Sequence, residues 1–157
     1  MTADGGATGN DFDFLIGTWD VANRRRLDFL DAAGAWEEFP AVARASRHFD
    51  GAANIDEVEF PTKGWSGLTL RLYAPERREW SLYWADSRTG ALFPPVVGRF
   101  TGGRGEFFGD DMHEGKEVRV RYVWSGISAD SARWEQAFSV DGEAGWVSNW
   151  VMEFTRP

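Results

Sequence analysis

The chain has 157 residues, a formal net charge of −8, no cysteine, nine tryptophans and twelve phenylalanines. Its length suits one hydrophobic core, and the absence of thiols excludes a disulfide framework, a thiolate metal site and a cysteine nucleophile. The acidic balance argues against nucleic acid and anionic membrane surfaces as partners, and no apolar run reaches the ~20 residues of a membrane-spanning helix.

Residues 1–10 have neither the basic start nor the apolar centre of a signal peptide, and their Gly, Ala, Thr and Asp content predicts a disordered tail. Residues 11–157 are then expected to form one domain. A cysteine-free chain with no leader fits a cytoplasmic setting.

Asn10 or Asp11 caps a predicted helical turn that Gly17 ends. From there Trp19, Val21 and Asn23 alternate with Thr18, Asp20, Ala22 and Arg24, the period of a strand. Arg24-Arg25-Arg26 reads as a solvated strand end or an anion site, and the first is the plainer expectation. Residues 36–49 alternate loosely around Pro40, although residues 41–45 also suit a helix. Asp50-Gly51 signals a hairpin into a strand over residues 55–60.

Leu68, Leu70 and Leu72 share one predicted face, with Thr69, Arg71 and Tyr73 opposite. After a turn at residues 74–78, Leu82, Trp84 and Asp86 alternate with Ser81, Tyr83 and Ala85. Pro94-Pro95 interrupts the pattern, residues 96–101 resume it, and Gly102-Gly103 turns the chain into residues 105–109. Residues 110–115 read as a polar loop. Its Asp110, Asp111, His113 and Glu114 either bind a cation or are simply solvated.

The last third alternates three times. Val118, Val120, Tyr122 and Trp124 share a face. So do Trp134, Gln136, Phe138 and Val140, and then Trp146, Ser148, Trp150, Met152 and Phe154. Gln136 and Ser148 fall among rings, where a polar group needs a partner. They serve either as ligand handles or as partners of each other. The opposite row, Arg119, Arg121, Arg133, Glu135, Asn149 and Glu153 together with Arg71, reads as a solvent face. A register slip would make it a polar lining instead.

The whole predicts an all-β antiparallel up-and-down barrel of eight to ten strands. Gly17-Thr18-Trp19, preceded by its short turn, resembles the Gly-x-Trp signature of the calycin superfamily, the lipocalin-like barrels. In those barrels a late basic residue lies against that Trp. Arg156 is the nearest positional match and Arg121 the second. The run Arg121-Tyr122-Val123-Trp124, Trp134 to Ser139, Asp141-Gly142 and Asn149 to Phe154 is similar to a family of uncharacterised bacterial calycin-like domains. The resemblance spans about residues 12–156 and implies a central pocket but no activity.

No nucleotide loop, hydrolase elbow or metal-binding helix motif occurs in the chain. The leading expectation is therefore a binding protein for a small apolar or amphipathic ligand. Trp19, Tyr122, Trp124, Trp134, Gln136, Phe138, Ser148, Trp150 and Met152 are its candidate ligand-binding residues. An isomerase- or hydratase-type enzyme with His48, Glu57 or Tyr122 as acid or base is the alternative, and a solid interaction module is a third. No cofactor is expected. Nitrobindin-type barrels hold haem through a His on a late strand, and residues 146–154 contain none. His48 is the remaining candidate for a base or haem ligand. Trp36, Trp65 and Trp80 fall near strand ends, where they mark a homodimer contact or plug the barrel ends.

Overall fold

The computed structural model describes residues 9–157. The tail expected over residues 1–10 therefore lies outside the described residues, apart from Gly9 and Asn10. Ten strands follow one another: β1 (Gly17–Arg26), β2 (Trp36–His48), β3 (Ala53–Phe60), β4 (Trp65–Ala74), β5 (Glu79–Asp86), β6 (Val96–Thr101), β7 (Arg104–His113), β8 (Lys116–Ser125), β9 (Ser131–Ser139) and β10 (Val147–Thr155). Each pairs antiparallel with the next, and β1 pairs with β10 to close the barrel. Closure removes the exposed edges that an open sheet would present. The helical option at residues 41–45 is not taken, because Val42 to Ala45 pair on both sides with β1 and β3. Pro40 costs no ladder bond on the β3 side. There β2 has outrun its neighbour, whose pairing begins at Val42.

One end of the barrel is closed by the segment before β1. Phe12 is fully buried among Trp80, Phe100, Phe107 and Trp124, with centroid distances of 4.9, 5.0, 5.8 and 6.2 Å. A 3-10 turn, Asp13–Leu15, leads into Gly17 at φ 106°, and a Cβ there would stand 3.0 Å from Arg156 Nη1. Glycine is required twice over, by conformation and by space. Trp19 Nε1 donates to the Leu15 carbonyl at 2.9 Å. The Arg156 guanidinium lies 3.6 Å from the Trp19 ring centroid and donates to the carbonyls of Phe14, Ile16 and Thr18. Arg156, the first choice from position, is thus the basic residue on this Trp, and Arg121 lies instead against Trp146.

The two faces of the sheet follow the predicted alternation in β1, β5, β8 and β9, where Trp19, Leu82, Trp124 and Trp134 are buried. They are reversed in β4. Thr69 and Arg71 are buried there, and Leu68 is exposed. The register explains it. Arg71 pairs with Asn54 across to β3, and Thr69 pairs with Asp56, so this side of the interior is a row of polar groups set opposite one another. The apolar row turns outward instead, with Leu70 between Ile55 and Tyr83. Such cross-strand rows stabilise an outer face as well.

The β10 face changes partway along. A register shift between Ser148 and Trp150 inserts Asn149 as an extra residue. Before it, Trp146 and Ser148 belong to the outer side. Trp146 contacts Phe108 and Arg121, and Ser148 donates to Glu135 Oε1. Residues 110–113 are strand rather than loop, because β7 stays paired with β8 as far as His113↔Lys116.

Candidate ligand-binding site

Midway along the barrel the interior is not filled. A cavity of about 40 Å³ is bounded by rings and aliphatic groups from β5, β8, β9 and β10 and by a polar wall from β3 and β4. That volume accommodates about three water molecules and is far below the ~300 Å³ at which pockets for drug-sized ligands begin. The aromatic side is Trp84, Trp124, Trp134 and Trp150, backed by Met152 and Phe154. Trp150 is the hub: its ring meets Trp134 at 5.7 Å and Trp84 at 6.1 Å, and its Nε1 donates to Asn23 Oδ1. Trp84 reaches inward because β4 carries Gly67 beside it. A Cβ on that glycine would fall 1.8 Å from the indole Cη2.

The polar wall is a buried ion pair. Arg71 Nη2 donates to Asp56 Oδ2 at 2.6 Å, and Nη1 donates to Asn54 Oδ1 at 2.7 Å. All three residues are 3 % exposed or less. The guanidinium also faces the rings of Phe12 and Trp124 at 5.0 and 5.6 Å. Asp56 Oδ1 and Arg71 Nε are buried and have no hydrogen-bond partner among the described residues. Gln136 donates from Nε2 to Asn149 Oδ1, which the bulge has turned inward. Burial, helped by the Asp111 carboxylate and opposed by Arg71, pushes the Tyr122 phenol well up, so it is a protonated hydroxyl at neutral pH.

A second cationic group stands nearer the other end of the barrel. Arg25 lies over Phe29 and Trp150, each at 4.7 Å, and over Trp65 at 5.9 Å. Burial and the neighbouring Arg88 draw its pKa down, against Glu37 and Asp86. Arg25 is therefore not the solvated strand end expected of the Arg24–Arg26 run. Phe29, from the loop at residues 27–35, covers this end, stacked on His113 and set edge-on to Phe138.

Of the nine candidate residues, Tyr122, Trp124, Trp134, Gln136, Trp150 and Met152 line the cavity. Trp19 does not: it belongs to the closed end with Phe154 and Arg156. Phe138 lies at the opposite end with Phe29 and His113. Ser148 is on the outer side with Glu135. The acid–base candidates separate as well. Tyr122 faces the cavity, whereas Glu57 is exposed and His48 is exposed and bonded to Ser46 Oγ. Asp110 of the expected polar loop pairs with Arg119. Trp80 is fully buried with Nε1 donating to Asp11 Oδ2, Trp65 lies under Arg88 at 3.7 Å, and Trp36 lies under Arg24 and Arg26. Trp80 is thus buried in the barrel, while Trp36 and Trp65 are half-buried beneath arginines.

Asp56 and Thr69 have no place in the site from sequence, and Arg71 enters it there only through the alternative of a polar lining. The available signal was the alternation of Asn54 and Asp56 in β3 against Thr69 and Arg71 in β4, a polar row with complementary charge.

No family model matches the chain, and no curated protein matches it. Among solved structures it is similar to the S-type phycobiliprotein lyase CPES from Guillardia theta, with a TM-score of 0.55 and 11% identity, over 93% of this chain and 90% of that one. A likeness at this identity concerns the fold, which is calycin-like.

Proposed function

We propose that the protein binds a small amphipathic molecule inside the barrel. One observation carries this reading: a single cavity joins an aromatic wall to a buried polar wall containing a donor and an acceptor without partners among the described residues. Binding sites combine mostly apolar linings with a few placed polar groups in this way. The neighbour that shares the barrel is a phycobiliprotein lyase. That name supports a barrel of this kind having a molecule to handle, and it says nothing of which molecule this chain takes. The proposed ligand is small. Long fatty acids and retinoids exceed the cavity unless Trp84, Trp134 and Trp150 move aside. A cytoplasmic setting belongs to the same proposal.

Titrating the protein with a panel of small amphipathic molecules, while following the indole Nε–H resonances in a nitrogen–proton correlation spectrum, tests the reading. Saturable shifts centred on Trp134 and Trp150 are expected. They are also expected to vanish in Thr69→Phe, which fills the cavity from β4. No saturable shift across the panel overturns the proposal.

The enzymatic reading has one observation in its favour: Asp56, Arg71 and Tyr122 all face the cavity. Against it, Asp56 is engaged by Arg71 and the Tyr122 phenol holds its proton at neutral pH. The geometry supplies recognition more readily than proton transfer.

A further inference from the structure

An arginine presents Nε–H and one Nη–H along the same edge of its plane, and a carboxylate normally accepts from both at once. The pair in the cavity is only half made. Arg71 Nη2 reaches Asp56 Oδ2, while Arg71 Nε and Asp56 Oδ1, the other limb of the fork, are both buried and have no partner among the described residues. Asn54 holds the remaining nitrogen, Nη1, and so fixes the guanidinium in its plane. Asp56 and Arg71 both belong to the cavity lining, and each carries one buried polar atom without a partner among the described residues, beside a wall of four indoles.

We propose that this open limb is an amide-reading subsite, with Asp56 Oδ1 accepting an N–H and Arg71 Nε donating to the adjacent C=O of a small neutral lactam or carboxamide. The inference rests on the binding reading above and names the ligand class for it. Charge decides for a neutral ligand. Asp56 and Arg71 cancel each other, so an anion brought beside them would be left uncompensated in a buried site, and a cation equally so. Chemistry decides for an amide. A ketone or ester offers no donor to Asp56 Oδ1, and an alcohol offers its single oxygen to both groups. Thr69 and Tyr122 hydroxyls on the same lining can serve either partner without setting that choice.

The test uses the unaltered protein and four ring probes of nearly equal size: 2-pyrrolidinone, γ-butyrolactone, cyclopentanone and methylenecyclopentane. Dissociation constants come from indole resonances, and the Arg71 Nε–H resonance is followed separately. The lactam is expected to bind about tenfold or more tightly than the lactone or ketone, because those leave Asp56 Oδ1 buried without a donor. The lactam, lactone and ketone, which each bring a carbonyl to it, should move the Arg71 Nε–H signal downfield when bound, and methylenecyclopentane should not. Equal affinity for all four probes, with the Arg71 signal unmoved, overturns the subsite and leaves the binding reading standing. Failure of every probe to bind overturns both. In Asp56→Asn the lactam preference is expected to fall to within about twofold of the ketone, and should that variant not fold, the four-probe comparison decides alone.

Discussion

Arg71 and Asp56 are the residues on which the interior depends. Burying two charges is costly, and their attraction offsets that cost only while both are present. Arg71→Met or Asp56→Leu alone is therefore expected to destabilise the barrel by about 3–5 kcal/mol, whereas the double substitution should cost less than either single one. Urea midpoints of the three variants check this, and additive losses would contradict it. Asp86 makes a different prediction. Burial opposes its charge, but the hydrogen bonds and charge of Arg88 outweigh that and hold its carboxyl below the usual carboxylate range. With the folded pKa depressed, the unfolded chain binds the proton first. The stabilisation is complete above the unfolded value of about 4 and declines as the pH falls through the folded one. The stability gap between wild type and Asp86→Asn, measured in urea at neutral and acidic pH, should be open at pH 7 and narrow below about pH 4. A gap that does not change with pH counts against the pairing.

At the scale of the element, much of the barrel was legible. Where alternation coincides with ring-bearing residues, as in Trp134, Gln136 and Phe138 of β9, the inward face can be read directly. Two local features defeated that reading. In β4 hydropathy pointed the wrong way, because Leu68, Leu70 and Leu72 pack as an outer row while an ion pair occupies the interior. The deciding facts are the partners across β3, which a single strand does not reveal. In β10 the bulge at Asn149 shifts parity by one, so Ser148 was placed inside and Asn149 outside when the reverse holds. A bulge leaves no trace in hydropathy. Residues 110–113 looked like a loop because they are polar, yet pairing with Arg119 and Val118 keeps them in β7. Gly67 is the element-scale test of the cavity wall. Gly67→Ala forces the Trp84 ring from its seat, and overpacking of this kind costs about 1–3 kcal/mol. The displaced ring should also enter the cavity, so ligand-induced indole shifts ought to weaken along with stability. Unchanged Trp84 resonances would show that the wall yields some other way.

For the whole molecule, Trp80 is buried within the chain, whereas Trp36 and Trp65 are half-buried, so a homodimer would use one of these two or the outer row of Ile55, Leu70 and Tyr83 beside exposed Leu68. Light scattering settles it, with a mass near 17.7 kDa marking a monomer. The closure of the barrel allows a stricter test. Nine of the ten ladders join strands adjacent in sequence, and the tenth, β1 with β10, joins the two ends of the chain. Arg156 clamps those ends by bonding to the carbonyls of Phe14, Ile16 and Thr18. The barrel itself does not distinguish this seam from the others. The β5–β6 seam has only three paired positions, Trp80↔Gly98 to Leu82↔Val96, and its connection at residues 87–95 is mostly exposed. Exposed connections with little pairing tolerate new termini best. A circular permutant that links Pro157 to Gly9 through a short glycine–serine segment and opens the chain between Thr89 and Gly90 should therefore fold to the same barrel. Its near-ultraviolet circular dichroism should match the parent, since the packed indoles report the interior, and urea unfolding should remain a single transition. Loss of that signal would mean that the order of strand addition, rather than the closed set of ladders, determines the fold.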